Sequence, residues 1–146
     1  MEIDEYRVYH SKVIEQYQLV EYHLEGLFAI MLSDGDNFLE LAKRVENDAM
    51  GELIRKVKFL VKQYNYSNII TKNDINLLYK IRDDRNYYCH ENYLKMRYAE
   101  KHNEPEERTK ESIKNDLKMC EELNNKLRSA FEQIKKSNKK LIMNEH

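Results

Sequence analysis

Apolar residues recur in steps of three and four along the first thirty positions: Tyr6, Tyr9, Val13, Tyr17, Val20, Leu24, Leu27 and Met31. That spacing fits one face of an α-helix and does not fit a strand, whose faces alternate every second residue. Similar stripes follow. Phe38, Leu41, Ala42 and Val45 share one side, the pattern resumes at Met50, Leu53, Val57, Leu60 and Tyr64, and Leu77, Leu78 and Ile81 open another. Ile113, Leu117, Cys120, Leu127, Phe131 and Ile134 form the last, with Asn124 interrupting it. The 146 residues contain 3 Gly and 1 Pro, too few turn formers for a many-stranded fold.

The punctuation agrees with the stripes. Asp34-Gly35-Asp36 suits a turn. The phase falters at Asn47, Asp48 and Gly51, which predicts a kink or break in the second helical region. Residues 66–72 are the least helical stretch, and Thr71-Lys72-Asn73-Asp74 reads as a helix start, a hydroxyl followed three residues later by an acid. Pro105 marks a polar connector over 102–108. The expected fold is all-α: one domain over 1–146, built as an antiparallel four-helix bundle. The long first and last helices also make a homodimer an expectation.

Formal net charge is −1 and the pI about 6.5, so binding of nucleic acid would have to rest on a local positive site. Lys56, Lys58 and Lys62 are candidates for it, although a charge run on a helix is ordinarily a solvated face. The two cysteines, Cys89 and Cys120, have no metal-ligand spacing, and no apolar run reaches the roughly 20 residues that span a bilayer. No metal, cofactor or membrane partner is expected, and the reading is of a cytoplasmic protein. His10 and His23 read as surface or half-buried residues, and the acids at 104–107 and 121–122 as solvated faces or helix starts.

One anomaly stands out in the third stripe. Between Ile81 and Tyr88 the core slot is held by Asp84 and Arg85 where a bundle normally places Leu or Ile. Such an Arg is paired, with Asp83 and Asp84 at hand, or reaches solvent, or lines a cleft. Arg85-Asn86, followed by three residues and His90, forms the pattern Arg-Asn-x-x-x-His. A looser Arg-x4-His spacing recurs at Arg97 and His102, and requiring the Asn removes that second copy.

Over Ile81 to Tyr93 the chain resembles the HEPN superfamily, small helical domains that include many metal-independent endoribonucleases found among toxins, abortive-infection proteins and CRISPR effectors. The resemblance implies an RNA substrate, with Arg85, Asn86 and His90 as catalytic residues in a composite site across a homodimer. It also implies an antitoxin partner, of nucleotidyltransferase type or another. In the branch paired with nucleotidyltransferases a Tyr follows the His by two residues. That Tyr is where the partner attaches AMP. Here Asn92 occupies the place and Tyr93 comes one later, so Tyr93 is read as a packing or site-lining aromatic, with Asp84 and Tyr87 as further site-lining residues and AMP attachment at Tyr93 as the alternative.

These residue types suit the reaction. A neutral imidazole with a pKa near ~6.5 accepts the ribose 2′-OH proton, and a guanidinium stabilises the charge that develops on the attacked phosphate. Residues five apart on an ideal helix point about 140° apart, so either the helix is distorted around 87–89 or two chains converge. Two rivals stay open: a non-catalytic HEPN-like nucleotide-binding or protein-interaction module, and a plain helical interaction protein in which Arg85 is structural.

Overall fold

The computed structural model describes residues 3–88 and 107–145, with side chains for 4–88 and 112–138. Among the described residues it is all-helical: α1 (Ile3–Leu32), α2 (Phe38–Val45), α3 (Met50–Gln63), α4 (Lys72–Asn86) and α5 (Glu107–Glu145). The break expected in the second helical region separates α2 from α3. Ala49, just before α3, is in extended backbone with φ −63° and ψ 151°.

The stripes become one core. Tyr6, Val13, Tyr17, Val20, Leu24, Leu27 and Met31 of α1 are buried with Leu53, Val57 and Leu60 of α3, Leu78 and Ile81 of α4, and Ile113, Leu117, Leu127 and Ile134 of α5. Each such side chain contributes on the order of 1.5–3 kcal/mol when fully withdrawn from water. The polar interruption in the last stripe has a structural job. Asn124 is 3% exposed, and its Nδ2 donates to the Gln16 carbonyl oxygen (3.0 Å) and to Gln16 Oε1 (2.7 Å). Farther along the same two helices, Asn138 Nδ2 donates to the Ile30 carbonyl oxygen (2.5 Å), one of the carbonyls left free at the end of α1. Asn138 Oδ1 in turn accepts from the Tyr66 hydroxyl (3.0 Å).

These contacts rise together in both helices, so α1 and α5 run parallel. The antiparallel arrangement holds for α4 against α5, where Asp74 meets Lys126, Lys80 meets Met119 and Tyr88 meets Asp116. It does not hold for the two longest helices. The amides of Asn124 and Asn138 fix their relative sense, and apolar periodicity carries no information about direction.

Local chemistry sets the bounds of α3 and α4. At the end of α3, Asn65 takes the left-handed conformation (φ 61°). The Tyr66 N–H returns to the Val61 carbonyl oxygen (2.9 Å) and the Asn65 N–H to that of Lys62 (3.4 Å), the paired bonds of a Schellman stop. The start of α4 is the capping box expected from Thr71 and Asp74. The Asp74 N–H donates to Thr71 Oγ1 (3.3 Å), and the Thr71 N–H donates to Asp74 Oδ2 (2.8 Å).

Candidate active site

The far end of α4 carries the motif. Regular α-helix stops at Asn86, and Tyr87 and Tyr88 continue in the wider π geometry, a form concentrated at functional sites. The widening begins where a distortion was expected, immediately after Arg85 and Asn86. His90 and Tyr93 lie outside the described residues, as do Cys89, Asn92, Arg97, His102 and Pro105.

Arg85 occupies the core-facing slot anticipated for it, but its partner is neither Asp83 nor Asp84. Its Nη1 sits 3.0 Å from Glu21 Oε1 on α1, with 36% of the Arg85 side chain exposed. Asp84 turns instead to Lys80 one turn back (3.0 Å), and Asp83 to Arg82 (3.0 Å). Residues three or four apart meet most readily on a helix face, as Lys80 and Asp84 do, and Arg85 finds its partner on another helix. The ion pair therefore ties α4 to α1 and leaves part of the guanidinium facing solvent. Asn86 is exposed, and among the described residues its amide has no hydrogen-bond partner. Tyr87 is half-buried and packs edge-on against Tyr88, ring centroids 5.2 Å apart.

Behind this surface lies a partly buried polar layer around the buried rings of Tyr17 and Tyr88. The Tyr88 hydroxyl donates to Asp116 Oδ2 on α5 (2.5 Å) and sits 3.5 Å from Ser112 Oγ. The His10 Nε2–H donates to the Tyr88 carbonyl oxygen (3.3 Å), its ring lying 6.3 Å from that of Tyr88. The Tyr17 ring is 6.2 Å from the Tyr88 ring, and its hydroxyl is buried with no hydrogen-bond partner among the described residues. Burial pushes the Tyr17 hydroxyl far up, with Cys120, Asp84, Tyr88 and Asp116 adding to it. Burial, then the bond to Asp116, does the same to Tyr88. Burial also raises the Asp84 carboxyl; the Lys80 bond pulls it back, and repulsion from Asp116 adds to the rise. The Cys120 thiol is pushed up to about 12, first by burial and then by Asp116, which makes it a packed thiol and not a nucleophile at neutral pH.

Glu21, His10 and Asp116 all bear on the motif, and none was singled out for it in the sequence. Each comes from a helix distant in the chain. An acid in the polar rows of α1 and a His at the edge of its stripe were the signals at hand, and both describe ordinary helix surfaces equally well. Among the described residues no three His, Cys, Asp or Glu side chains gather to hold a metal ion, and no helix is long and apolar enough to cross a membrane. An apolar hollow of about 350 Å³ between α1, α2 and α5 is walled by Tyr22, His23, Phe38 and Phe131 and does not include Arg85. Neither a family model, nor a curated protein, nor a solved structure matches the chain.

Proposed function

We propose that this chain is an endoribonuclease of HEPN type, a small helical-bundle domain that cleaves RNA through attack of the substrate's own 2′-OH. Arg85 stabilises the attacked phosphate, His90 exchanges the proton, and Asn86 holds the phosphate or the guanidinium. Because the nucleophile belongs to the RNA, the step needs no metal. The protein acts in the cytoplasm as a homodimer, as a toxin or anti-phage effector restrained by an antitoxin.

The observation that carries the reading is the placement of Arg85. A charged group stands in a core slot, is braced by Glu21 across the helix interface, and remains partly open to solvent where the helix widens. Bracing of this kind limits the rotamers of a long side chain and preorganises its charge. The π geometry at Tyr87 and Tyr88 is a second support: an α-helix leaves residues five apart on different faces, and the motif's spacing calls for a departure from it.

The test is cleavage of RNA in EDTA by purified protein, by Arg85→Ala and by His90→Ala, with circular dichroism to confirm the fold. Loss of cleavage in both folded variants is the expected result, and full cleavage in either removes that residue from the mechanism. Sedimentation checks the dimer: a fully active monomer excludes the composite site.

The same ion pair favours one rival, in which Arg85 only fastens α4 to α1. Glu21→Gln separates the two readings. A purely structural Arg85 makes Glu21→Gln and Arg85→Ala equivalent in stability and silent in chemistry. A catalytic Arg85 leaves Glu21→Gln with reduced cleavage and Arg85→Ala with almost none.

A further inference from the structure

A chain of net charge −1 that handles RNA must concentrate its positive charge somewhere, and Arg85 alone does not hold a strand. The three lysines of α3 divide once the fold is known. Lys56 faces the α2 side and is paired with Asp48 (2.6 Å). Lys58 and Lys62 face α4, where they meet Lys72 from its first turn around a hollow of about 370 Å³. Ser67 and Asn76 add polar groups, Val61 and Ile75 form an apolar floor, and no carboxylate lines it. Among the described residues Lys58, Lys62 and Lys72 have no acidic partner, and all three are exposed. The acid nearest in sequence, Asp74, is turned away into its capping box and the ammonium of Lys126 (2.6 Å).

The hollow is also aligned with the motif. Lys72, Tyr79 and Asn86 are spaced seven residues apart, which brings them back to one face of α4 with a drift of about 20° per step. Lys72 and Asn86 are then about 20 Å apart along the helix. Midway, Tyr79 is half-buried with the Arg82 guanidinium 5.0 Å over its ring, while Arg82 also holds Asp83. Gly51 of α3 keeps the gap beside Arg82 narrow: a Cβ there would come 3.1 Å from Arg82 Cδ. Positive charge at one end, an aromatic with a cation on the way and a free amide beside Arg85 at the other match the pattern of single-strand binding grooves.

The geometry points to a binding track for single-stranded RNA along the α3–α4 hairpin, with backbone phosphates seated among Lys58, Lys62 and Lys72 and the strand leading past Tyr79 to Asn86 and Arg85. This rests on the endoribonuclease reading and gives that site a substrate class: single strands, recognised by their backbone several nucleotides away from the cut. At a rise near 3.4 Å per nucleotide, the span needs roughly six nucleotides.

The test measures binding apart from cleavage, using a fluorescent 2′-O-methyl oligoribonucleotide about ten nucleotides long, which lacks the nucleophile. The triple variant Lys58→Gln, Lys62→Gln, Lys72→Gln is compared with Lys43→Gln, Lys118→Gln, Lys136→Gln, which removes equal charge from exposed positions elsewhere. In the first variant the affinity is expected to fall at least about tenfold and the slope of log K against log salt to shrink by about 2, near 0.7 per lost phosphate contact. The control is expected to keep most of both. Strands shorter than about six nucleotides are expected to bind the native protein more weakly, because they cannot reach both ends.

Equal slopes in the two variants, or no binding by the native protein, overturn the track. So does a hollow that takes inorganic pyrophosphate through these lysines while strand binding ignores them. Lysine-dependent binding without cleavage of unmodified RNA keeps the track and removes the catalytic reading. Cleavage that is indifferent to the three lysines does the reverse.

Discussion

The two ends of α4 are built on opposite plans. At Thr71–Asp74 the polar groups satisfy one another locally: the capping box closes on itself and Lys126 completes Asp74 from α5. At Arg85–Tyr88 the groups reach outward, Arg85 to Glu21 and Tyr88 to Asp116, with His10 reaching in to the Tyr88 carbonyl, while the helix loosens and the Tyr17 hydroxyl has no bond among the described residues. The first end is organised for stability. The second ties α4 to α1 and α5 through partly buried polar groups, and on the proposed reading these groups shape the field at the attacked phosphate.

That contrast can be broken most sharply at Arg85. Arg85→Ala is expected to lower RNA cleavage by about 10²–10³-fold or more, the usual cost of removing one preorganised donor, with a stability change of at most about 1 kcal/mol because the pair is partly exposed. Single-turnover kinetics and chemical denaturation measure the two. A variant that unfolds before it loses activity would make the two ends alike.

Asp74→Ala is the converse, expected to cost about 1–3 kcal/mol in urea denaturation and to leave the cleavage step unchanged. Its pH dependence sharpens the point. Burial alone would raise the Asp74 carboxyl, but the Lys126 ammonium and the two Thr71 hydrogen bonds outweigh it and hold the group below its ordinary 3.8. A depressed folded pKa contributes stability above the unfolded value and loses it as pH falls through the folded one. Below about pH 4 the difference between native protein and Asp74→Ala should therefore shrink.

Tyr17→Phe is expected to have the smallest effect, neutral or stabilising by up to about 1 kcal/mol, since it deletes a buried hydroxyl with no partner among the described residues. Tyr88→Phe should cost about 1 kcal/mol, because Asp116 loses its donor. Equal losses at both tyrosines would show that the Tyr17 hydroxyl is bonded in solution.

Much of the architecture was legible because it is periodic or local. The stripe from Tyr6 to Met31 became core, with Tyr9 left half-buried; the break before Met50 and the box at Thr71–Asp74 fell where their residues placed them. Leu77 was read as core but is half-buried, because Ile75 and Leu78 hold the inward positions of α4. The parallel sense of α1 and α5, the partnership of Arg85 with Glu21 and the gathering of Lys58, Lys62 and Lys72 were not legible. Each depends on which helices become neighbours, and that follows from tertiary packing and not from any window of sequence. The candidate site was legible only as a motif, Arg85 and Asn86 with His90, and not as a set of contacts.

The amides of Asn124 and Asn138 meet α1 at Gln16 and Ile30, about four turns apart along each helix. Two such fastenings make chain length a shared property of α1 and α5. One residue inserted between the fastenings of either helix displaces everything beyond it by about 1.5 Å and 100°, so both bonds cannot survive together. One residue inserted in each helix, beyond Glu21 in α1 and beyond Lys126 in α5, restores the two fastenings to each other and leaves the ion pairs with α4 in place. Viable length variants of this chain should therefore change α1 and α5 in matched steps, while the segments joining α1 to α2 and α2 to α3 remain free to vary on their own.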